Sequence, residues 1–508
     1  MLQVGVGMKK IGIVGAGITG SAIARILSKY ENFEIHLIEK EPDVGWGASK
    51  ANTGIIHPGH EDDPEKYPLR SELCVRGNKI WHDWVKELDI PVRWPGELMV
   101  ATKEEDFEVL REYLEIGKEN GVPGLRIIDG ERTKSLEPNV TSDVEGALWA
   151  PTAGLIEPWE AVIGLVENAV DNGVITHMGT EVKDVKIDNG AVEGVETSKG
   201  FIDLDILINA AGLFADEISK MAGIDDFEIY PRKGEYYLFD EDAKPKVDKI
   251  VHPTPTGKTK GVFANKTVEG NLMLGPTAEN LDKDKKDDKS TSESGLDYVW
   301  EWSEKLLEKL PQKKGVAKTF SGLRPEPPEG KWKIETYDSP KGFVNVAGIR
   351  SPGLASAPAI ANYVRDELLR KELGLEFKEK DDWNPNRESI RRFSECSLQE
   401  QRNLIDQNSN YGNVVCLCKE VTRAEISEAI ERMDKIGVEN KTLDSVKFRT
   451  LAMFGFCQGS FCRVRLARIL SEETGKPIWE VSLNGSNSEY GIGDVKDLQG
   501  DLEEKDER

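Results

Sequence analysis

Long apolar stretches are missing from this 508-residue chain: no run approaches the length of a membrane-spanning helix, and no secretory signal stands before the first apolar segment. Cysteine is scarce, and six residues do not make a disulfide scaffold. Basic residues number 67 against 91 acidic ones, and the formal net charge of -24 argues against nucleic acid or an anionic membrane as a partner. We expect a cytoplasmic protein. Any association with a membrane would be made through a partner protein.

The composition that remains is that of a globular protein with more than one core. Hydrophobic residues make up 38% of the sequence and charged residues 31%. A chain of this length exceeds one ordinary hydrophobic core, so we expect two or three domains. An anionic substrate would need a local basic pocket to offset the overall negative charge.

Residues 9–40 carry the strongest local pattern, KKIGIVGAGITGSAIARILSKYENFEIHLIEK. An apolar run meets Gly15, Gly17 and Gly20, and an amphipathic segment and a second apolar run follow, which predicts strand, tight turn, helix and strand. Such glycines permit the turn, the approach of a pyrophosphate and helix–strand packing, while an acid at Glu39 accepts hydrogen bonds from a ribose. Glycines that serve packing alone are the alternative, but both strands and the acid in register favour dinucleotide binding.

Six motifs in order extend this pattern: GAGITG, GASKANTGIIHPG, NAAGLFADEI, RKGEYYLFD, SGLRP and VNVAGIRSPGLASAPAIA. Residues 9–375, which contain them, resemble the D-amino-acid-oxidase-type FAD superfamily. Within it they are most similar to the branch of FAD-dependent glycerol-3-phosphate dehydrogenases and L-2-hydroxyglutarate oxidases. The resemblance implies FAD as a cofactor and the removal of a hydride from a CH–OH carbon.

The resemblance also implies which residues contact FAD. Glu39 would lie at the adenosine ribose, the loop at residues 45–49 beside the flavin, and the backbone of Val182 at the adenine. Ordinary turns are the alternative explanation for the glycines. The implied set is Gly15, Gly17, Ile18, Thr19, Gly20, Glu39, Lys40, Gly47, Ala48, Ser49, Thr53, Gly54, Val182, Ala211, Gly212, Gly353 and Leu354.

The substrate site has five candidates. His57 in IIHPG matches a family histidine near the flavin, and imidazole suits a base near neutral pH, although a core histidine is the alternative. Arg324 in GLRP matches the arginine that holds the substrate's anionic end, with an interdomain salt bridge as the alternative. Lys233 and Tyr236 are expected to line the substrate face unless they belong to a surface ribbon. Arg350 departs from relatives that carry an acid there, and a second cation would favour a dianionic phosphate or contact FAD.

Four cysteines form two close pairs late in the chain, Cys416 with Cys418 and Cys457 with Cys462. Two such pairs bring four thiolates to one metal centre, and residues 422–425 predict a capping box at the start of the intervening helix. This module resembles the bacterioferritin-associated-ferredoxin-like [2Fe–2S] domain, with structural zinc as the alternative. The two remaining cysteines, Cys74 and Cys396, are expected to be buried and not to be ligands.

These observations predict an α/β (α+β) chain, in which a Rossmann-like FAD-binding domain is interrupted by a β-rich substrate domain and followed by a small, mostly helical iron–sulfur domain. The expected ranges are 9–88, 157–222 and 318–373 for the FAD-binding domain; 89–156 and 223–317 for the substrate domain; 376–410 for a connector; 411–475 for the cluster domain; and 476–508 for a partly disordered tail.

The resemblance implies an FAD-dependent dehydrogenase that oxidises sn-glycerol 3-phosphate and passes electrons through the [2Fe–2S] cluster to a partner, as a hetero-oligomer. L-2-hydroxyglutarate, or a related 2-hydroxy or amino acid, is the alternative substrate. An electron-transfer subunit of a flavoprotein complex is the alternative from another class, and an anion pocket at RKGEYY and GLRP weighs against it.

Overall fold

The computed structural model describes residues 8–255, 261–491 and 493. Internal contacts divide the chain into two units. The first unit comprises the residues up to 39 and 44–388, and the second comprises 40–43 and the residues from 389 onward. Residue 492 and residues 494–508, which belong to the predicted disordered tail, lie outside the described residues.

The elements are numbered in chain order. The strands are β1 (Lys9–Val14), β2 (Phe33–Ile38), β3 (Ile55–Ile56), β4 (Val92–Arg93), β5 (Glu97–Ala101), β6 (Arg126–Asp129), β7 (Gly146–Ala150), β8 (Gly154–Ile156), β9 (Ile175–His177), β10 (Val182–Asp188), β11 (Ala191–Thr197), β12 (Gly200–Asp203), β13 (Ile206–Asn209), β14 (Tyr230–Phe239), β15 (Ile250–Pro253), β16 (Phe263–Lys266), β17 (Leu272–Gly275), β18 (Glu279–Asn280), β19 (Val316–Glu326), β20 (Lys333–Thr336), β21 (Phe343–Ala347), β22 (Val414–Cys416) and β23 (Val421–Thr422). The α-helices are α1 (Ile18–Leu27), α2 (Pro68–Glu87), α3 (Asp106–Glu119), α4 (Gly130–Leu136), α5 (Pro158–Asp171), α6 (Ala215–Met221), α7 (Glu293–Leu306), α8 (Gly353–Tyr363), α9 (Leu398–Gln407), α10 (Arg423–Lys435), α11 (Leu443–Thr450) and α12 (Arg463–Thr474).

A six-stranded sheet in the order β20-β21-β13-β1-β2-β9 confirms the predicted Rossmann-like domain. All its strands run parallel except β20, an antiparallel edge. Residues 11–14 of β1 are buried, as a central parallel strand requires. Helix α1 packs closely against this strand because residue 20 is glycine: a Cβ there would lie 2.0 Å from the carbonyl oxygen of Gly15.

Nine strands form the second large sheet, in the order β18-β14-β17-β16-β15-β5-β7-β6 with β19 paired to β14. This sheet confirms the β-rich domain that was predicted to interrupt the FAD-binding domain. It contains strands from both inserted segments, since β5 of the first pairs in parallel with β15 of the second. Its apolar residues form a core with α7. The predicted ranges assigned residues from 318 onward to the FAD-binding domain. The ladder between β14 and β19, from Tyr230↔Glu326 to Phe239↔Val316, instead places residues 318–326 in the nine-stranded sheet.

The segment predicted as a connector, residues 376–410, is divided between the units at residue 388. Its first part is anchored by Arg387, whose guanidinium donates to Glu167 and Glu160, each at 2.7 Å, within the first unit. All three side chains are buried. A basic residue of the predicted connector therefore satisfies two buried carboxylates. The later part of the segment contains α9.

The second unit is a small, mostly helical module of α9 to α12 with the two-stranded pair β22–β23, as predicted. The capping box at Thr422 and Glu425 is confirmed, with both reciprocal hydrogen bonds present. The described start of the predicted tail is hydrogen-bonded to this module, since the Leu443 N–H donates to the Ser482 carbonyl at 3.0 Å. Within the described part of the chain, none of the helices has the length and apolar character needed to cross a membrane.

Replacing Arg387 by alanine tests the anchoring of the 376–388 segment. The change leaves Glu160 and Glu167 buried without their cation, so we expect the free energy of unfolding of the first unit to fall by about 3–5 kcal/mol. Urea unfolding followed by circular dichroism measures this. The control is Lys378→Ala, which removes an exposed surface pair with Glu31 and should change the stability much less than Arg387→Ala does. Equal costs for the two variants would contradict the anchoring role.

Candidate functional site

The turn between β1 and α1 begins the candidate site. Gly15 has φ of +104°, which glycine adopts far more readily than other residues. Helix α1 starts at Ile18 without a side-chain cap. The Ile18 N–H donates to the Ser49 hydroxyl at 2.9 Å, and the Ala16 N–H donates to Oε2 of Glu39 at 2.8 Å. The acid and the serine predicted from the sequence therefore both lie at this turn.

The space and charge around the turn fit the phosphates of FAD. A Cβ on Gly17 would meet only the Ser49 hydroxyl, at 3.2 Å, and a Cβ on Gly47 or Gly212 would meet nothing within 4 Å. The N-cap residue of α1 is glycine and provides no capping side chain, and the positive end of a helix favours an anion. Open glycine surface and a positive helix end are together what a pyrophosphate needs.

The other residues of the predicted FAD set are distributed over several elements. Thr19 and Gly20 are in the first turn of α1, and Ala211 follows β13, which pairs with β1. Val182 is buried in an apolar cluster with Val14 and Ile38. The flanking Lys40 is exposed, whereas Gly54 is buried beside β3. Their contacts with FAD remain predictions.

A cavity of about 490 Å³ adjoins the turn in the first unit. Its walls include two groups of predicted residues: six of the FAD set and four of the five substrate candidates. They are Ile18, Ala48, Ser49, Thr53, Gly353 and Leu354 from the first group, and His57, Tyr236, Arg324 and Arg350 from the second. The fold thus brings into one cavity residues that are up to about 330 positions apart in the sequence.

Arg324 is held at the cavity wall by backbone carbonyls. Its Nε donates to the Arg232 carbonyl at 3.2 Å, and its Nη2 donates to the carbonyls of Lys233 and Thr277 at 3.2 and 2.7 Å. Within the described residues no carboxylate pairs with it, so the predicted alternative of a salt bridge is not what positions this side chain. Burial lowers the pKa of the guanidinium, which nevertheless keeps its charge near neutral pH.

The other cavity arginines have different partners. Arg350, expected to face a phosphate or FAD, has its Nε 3.1 Å from Oε1 of Glu326, so much of its charge is already balanced. Arg70 donates to the carboxylate of Asp62. Arg232 also lines the cavity. Sequence reasoning missed Arg70 and Arg232, although Arg232 sits in the RKGEYY motif.

Lys233 was predicted to line the substrate face, but it does not line the cavity. Its Nζ lies 3.0 Å from Oδ2 of Asp288, and the side chain is buried. Alternate residues of a strand face opposite sides, so β14 turns Arg232 and Tyr236 toward the cavity and Lys233 away from it. Tyr236 stacks on Phe320 with ring centroids 4.6 Å apart, and burial raises the pKa of its hydroxyl, which therefore stays protonated.

His57 lies between the cavity and a set of buried acids. Its Nε2 is 3.4 Å from the Ser351 hydroxyl, and its Nδ1 is 3.3 Å from Oε2 of Glu61. The His57 carbonyl accepts a hydrogen bond from Asn78 at 3.1 Å, which fixes the backbone. Sequence reasoning missed Glu61 and Ser351. Ser351 adjoins the late glycine turn that was singled out, and Glu61 is four residues after His57.

A second carboxylate, Glu97, lies behind His57 with its Oε2 4.0 Å from Nδ1. Its Oε1 is 3.1 Å from Nε2 of His252 and 3.5 Å from Nε2 of His60. Burial raises the pKa of Glu97, but the hydrogen bond and charge of His252 outweigh it and lower the pKa overall. Burial also lowers the pKa of His60. An ionised carboxylate therefore stands behind the imidazole of His57 in the interior.

The four predicted ligand cysteines converge in the second unit. The sulfurs of Cys416 and Cys418 are 3.7 Å apart, and direct thiol contacts join Cys416 to Cys462 and Cys418 to Cys457. The hydrogen bond from Cys462 lowers the pKa of Cys416 to about 5, while burial and the charge of Cys416 raise the pKa of Cys418 to about 12. Thiolates so close repel one another, and a cationic metal centre relieves that repulsion.

Comparison with known proteins gives two family matches. Residues 10–367 match the DAO family, FAD dependent oxidoreductase, and residues 414–472 match the BFD-like [2Fe-2S] binding domain. The chain belongs to the DAO family of FAD-dependent oxidoreductases. The two matches confirm FAD and a [2Fe–2S] cluster as the predicted cofactors.

The relatives of this DAO-family chain include glycerol 3-phosphate enzymes and, at 26–30% identity, L-2-hydroxyglutarate dehydrogenases. Glycerol 3-phosphate dehydrogenase of Caloramator mitchellensis is 38% identical over 489 residues, covering 96% of this chain and 99% of that protein. Glycerol 3-phosphate oxidase of Mycoplasma genitalium is 31% identical, covering 74% and 97%. A structure of L-α-glycerophosphate oxidase from Mycoplasma pneumoniae with FAD bound superimposes with a TM-score of 0.69 at 28% identity, covering 75% and 99%. The chain is thus an FAD-dependent oxidoreductase similar to glycerol-3-phosphate dehydrogenases.

Replacing one of the four cysteines by serine should remove the iron–sulfur centre and spare the flavin. We expect Cys457→Ser to lose the visible absorbance and the electron paramagnetic resonance signal of the reduced cluster, with the FAD content unchanged, because the two sites use different residues. Iron and flavin analysis measures both. Cys396→Ser is the matched control in the same unit and should keep the full iron content. Unchanged iron in Cys457→Ser would refute the ligand assignment.

Proposed function

We propose that this chain oxidises sn-glycerol 3-phosphate to dihydroxyacetone phosphate and that the electrons leave for a partner protein. The observation that carries the proposal is Arg324, a buried guanidinium on the cavity wall that is held by three backbone carbonyls and by no carboxylate of the described residues. A cation positioned in this way has its charge available to an anionic substrate.

The balance of charges around the cavity supports a phosphate. Arg70 is paired with Asp62 and Arg350 with Glu326, whereas Arg324 has no carboxylate partner among the described residues. A cation of this kind suits the negative charge of a phosphomonoester. It lies in a chain whose net charge of -24 would otherwise repel the phosphate.

The chain's own residues account for the movement of the proton. FAD, held at the β1–α1 turn, supplies the two-electron acceptor, and the cluster held by the four cysteines supplies a one-electron centre. Because Oε2 of Glu61 lies 3.3 Å from Nδ1, we infer that a neutral His57 carries its ring proton on Nδ1 and offers the lone pair of Nε2 to the substrate. His57 then accepts the proton of the substrate hydroxyl at Nε2. Tyr236 lines the same cavity, and its hydroxyl stays protonated because burial raises its pKa.

Anaerobic bleaching of the flavin tests the substrate assignment. We expect sn-glycerol 3-phosphate to bleach the FAD absorbance, and L-2-hydroxyglutarate and glycerol to leave it unchanged, because the site is proposed to hold a phosphate. Arg324→Met should raise the KM for glycerol 3-phosphate on the order of 100-fold, since charged hydrogen bonds contribute about 1.5–3 kcal/mol. Arg324→Lys keeps the charge but not the planar fork. Its KM should lie between those of the wild type and Arg324→Met.

Two other results are informative in the bleaching experiment. Bleaching by L-2-hydroxyglutarate but not by glycerol 3-phosphate would establish the alternative substrate. Bleaching by a reduced partner protein and by no metabolite would establish an electron-transfer subunit. Either result overturns the proposal, whereas iron and flavin content would be the same in all three cases.

The neighbour of His57 gives a separate prediction. Glu61→Gln keeps the size of the side chain and removes its negative charge. An imidazole without an adjacent anion protonates less readily, so the acid limb of kcat/KM should move to lower pH. We also expect kcat to fall on the order of tenfold to 100-fold with KM nearly constant, because the proton acceptor is less well held. The control is Glu72→Gln on the exposed face of α2. An unshifted pH profile in Glu61→Gln would exclude the positioning role.

A further inference from the structure

The four-cysteine site is surrounded by exposed apolar side chains. Leu417 is 65% exposed between Cys416 and Cys418, and Phe456 is 56% exposed before Cys457. Phe461 and Val464, 75% and 50% exposed, flank Cys462. Twelve large hydrophobic residues are exposed in the described part of the chain, and these four are all next to the cysteines or two positions away. Their concentration at one site marks an interaction surface.

Basic residues extend this apolar area along α12. Within α12, Val464, Arg465 and Arg468 are spaced i, i+1 and i+4 on one side of the helix, and Phe461 lies two residues before the helix begins; all four are exposed. We call these four residues, with Leu417 and Phe456, the cluster face. Arg465 and Arg468 form no ion pair within the described residues, and the helix has no acidic residue before Glu472.

The basic part of the cluster face stands out against the charge of the whole chain. The net charge is -24, and yet two unpaired arginines stand on one helix beside the cysteines. At physiological salt the Debye length is about 8 Å, so a protein docked here responds to the nearby arginines more than to distant acids. A basic partner would be repelled at this face, whereas an acidic partner would be attracted to it.

We propose that the cluster face is the docking site of an acidic one-electron carrier protein. This inference rests on the proposed function and names the chemistry of its partner. Oxidation of one CH–OH group to a ketone releases two electrons and two protons, so each turnover reduces two carriers by one electron each, and the protons pass to solvent. The apolar side chains would form the dry centre of the interface, and Arg465 and Arg468 would pair with carboxylates at its rim.

Binding of two carriers of opposite charge tests the docking site. The probes are a strongly acidic [2Fe–2S] ferredoxin and a basic cytochrome c, each titrated into the full-length holoprotein at 0.15 M salt by microscale thermophoresis. We expect the ferredoxin to bind, and Arg465→Glu/Arg468→Glu to weaken its affinity at least tenfold. The same variant should bind cytochrome c no more weakly than the wild type does.

A charge-matched control separates the face from the overall charge. Arg111→Glu/Arg402→Glu makes the same change at exposed arginines of α3 and α9 and should leave ferredoxin affinity within about twofold. Phe461→Ser should weaken ferredoxin at least tenfold through lost apolar contact. If that variant loses iron, Arg465→Glu/Arg468→Glu alone decides the test, since both of its positions are at least three residues away from any cysteine.

Several results would overturn the docking proposal. They are no ferredoxin binding by the wild type, equal affinity in Arg465→Glu/Arg468→Glu and its control, or concentration-dependent self-association in size-exclusion chromatography that this variant abolishes. The last result would assign the face to a second copy of the chain. Flavin bleaching by glycerol 3-phosphate is measured without any carrier, so failure of the proposed function is recognised separately from failure of the docking site.

Discussion

The antiparallel register between β14 and β19 is the constraint on which the candidate site depends. It sets Arg232 opposite Arg324 and Tyr236 opposite Phe320 across the nine-stranded sheet. The same alignment places the carbonyls of β14 where they hold the Arg324 guanidinium. A slip by one residue would turn Lys233 toward the cavity and Arg232 and Tyr236 away from it. One ladder thus decides both the charge and the shape of the pocket.

The cavity arginines differ in their partners. Arg70 and Arg350 stabilise the cavity walls, and their charges are largely balanced by the carboxylates of Asp62 and Glu326. Arg324 is satisfied by neutral carbonyl dipoles, which hold a guanidinium in place without cancelling its charge. An acid in their place would hold the arginine more tightly and leave less attraction for a ligand. The absence of an acid at Arg324, within the described residues, is what makes a binding function the stronger explanation.

The two units carry different kinds of chemistry, and their surfaces differ accordingly. The first unit encloses a cavity with a buried imidazole, His57, at its wall and the carboxylates of Glu61 and Glu97 close to that imidazole. The second unit presents its thiolate site at an exposed, apolar and locally basic face. Proton chemistry gains from exclusion of water, whereas one-electron exchange with another protein needs an accessible centre.

Local patterns in the sequence determined the parts of the molecule that depend on neighbours along the chain. The glycine turn after β1, the capping box at Thr422 and the paired cysteines could all be read directly, because a few adjacent residues fix each of them. Only the tertiary structure decided which side chains of β14 face the cavity, that Arg350 is paired with Glu326, and that Arg387 is buried against two acids. Arg232 and Arg324 are 92 positions apart, and the registers and ion pairs that join such residues are set by packing between distant segments, which periodicity along one strand does not record.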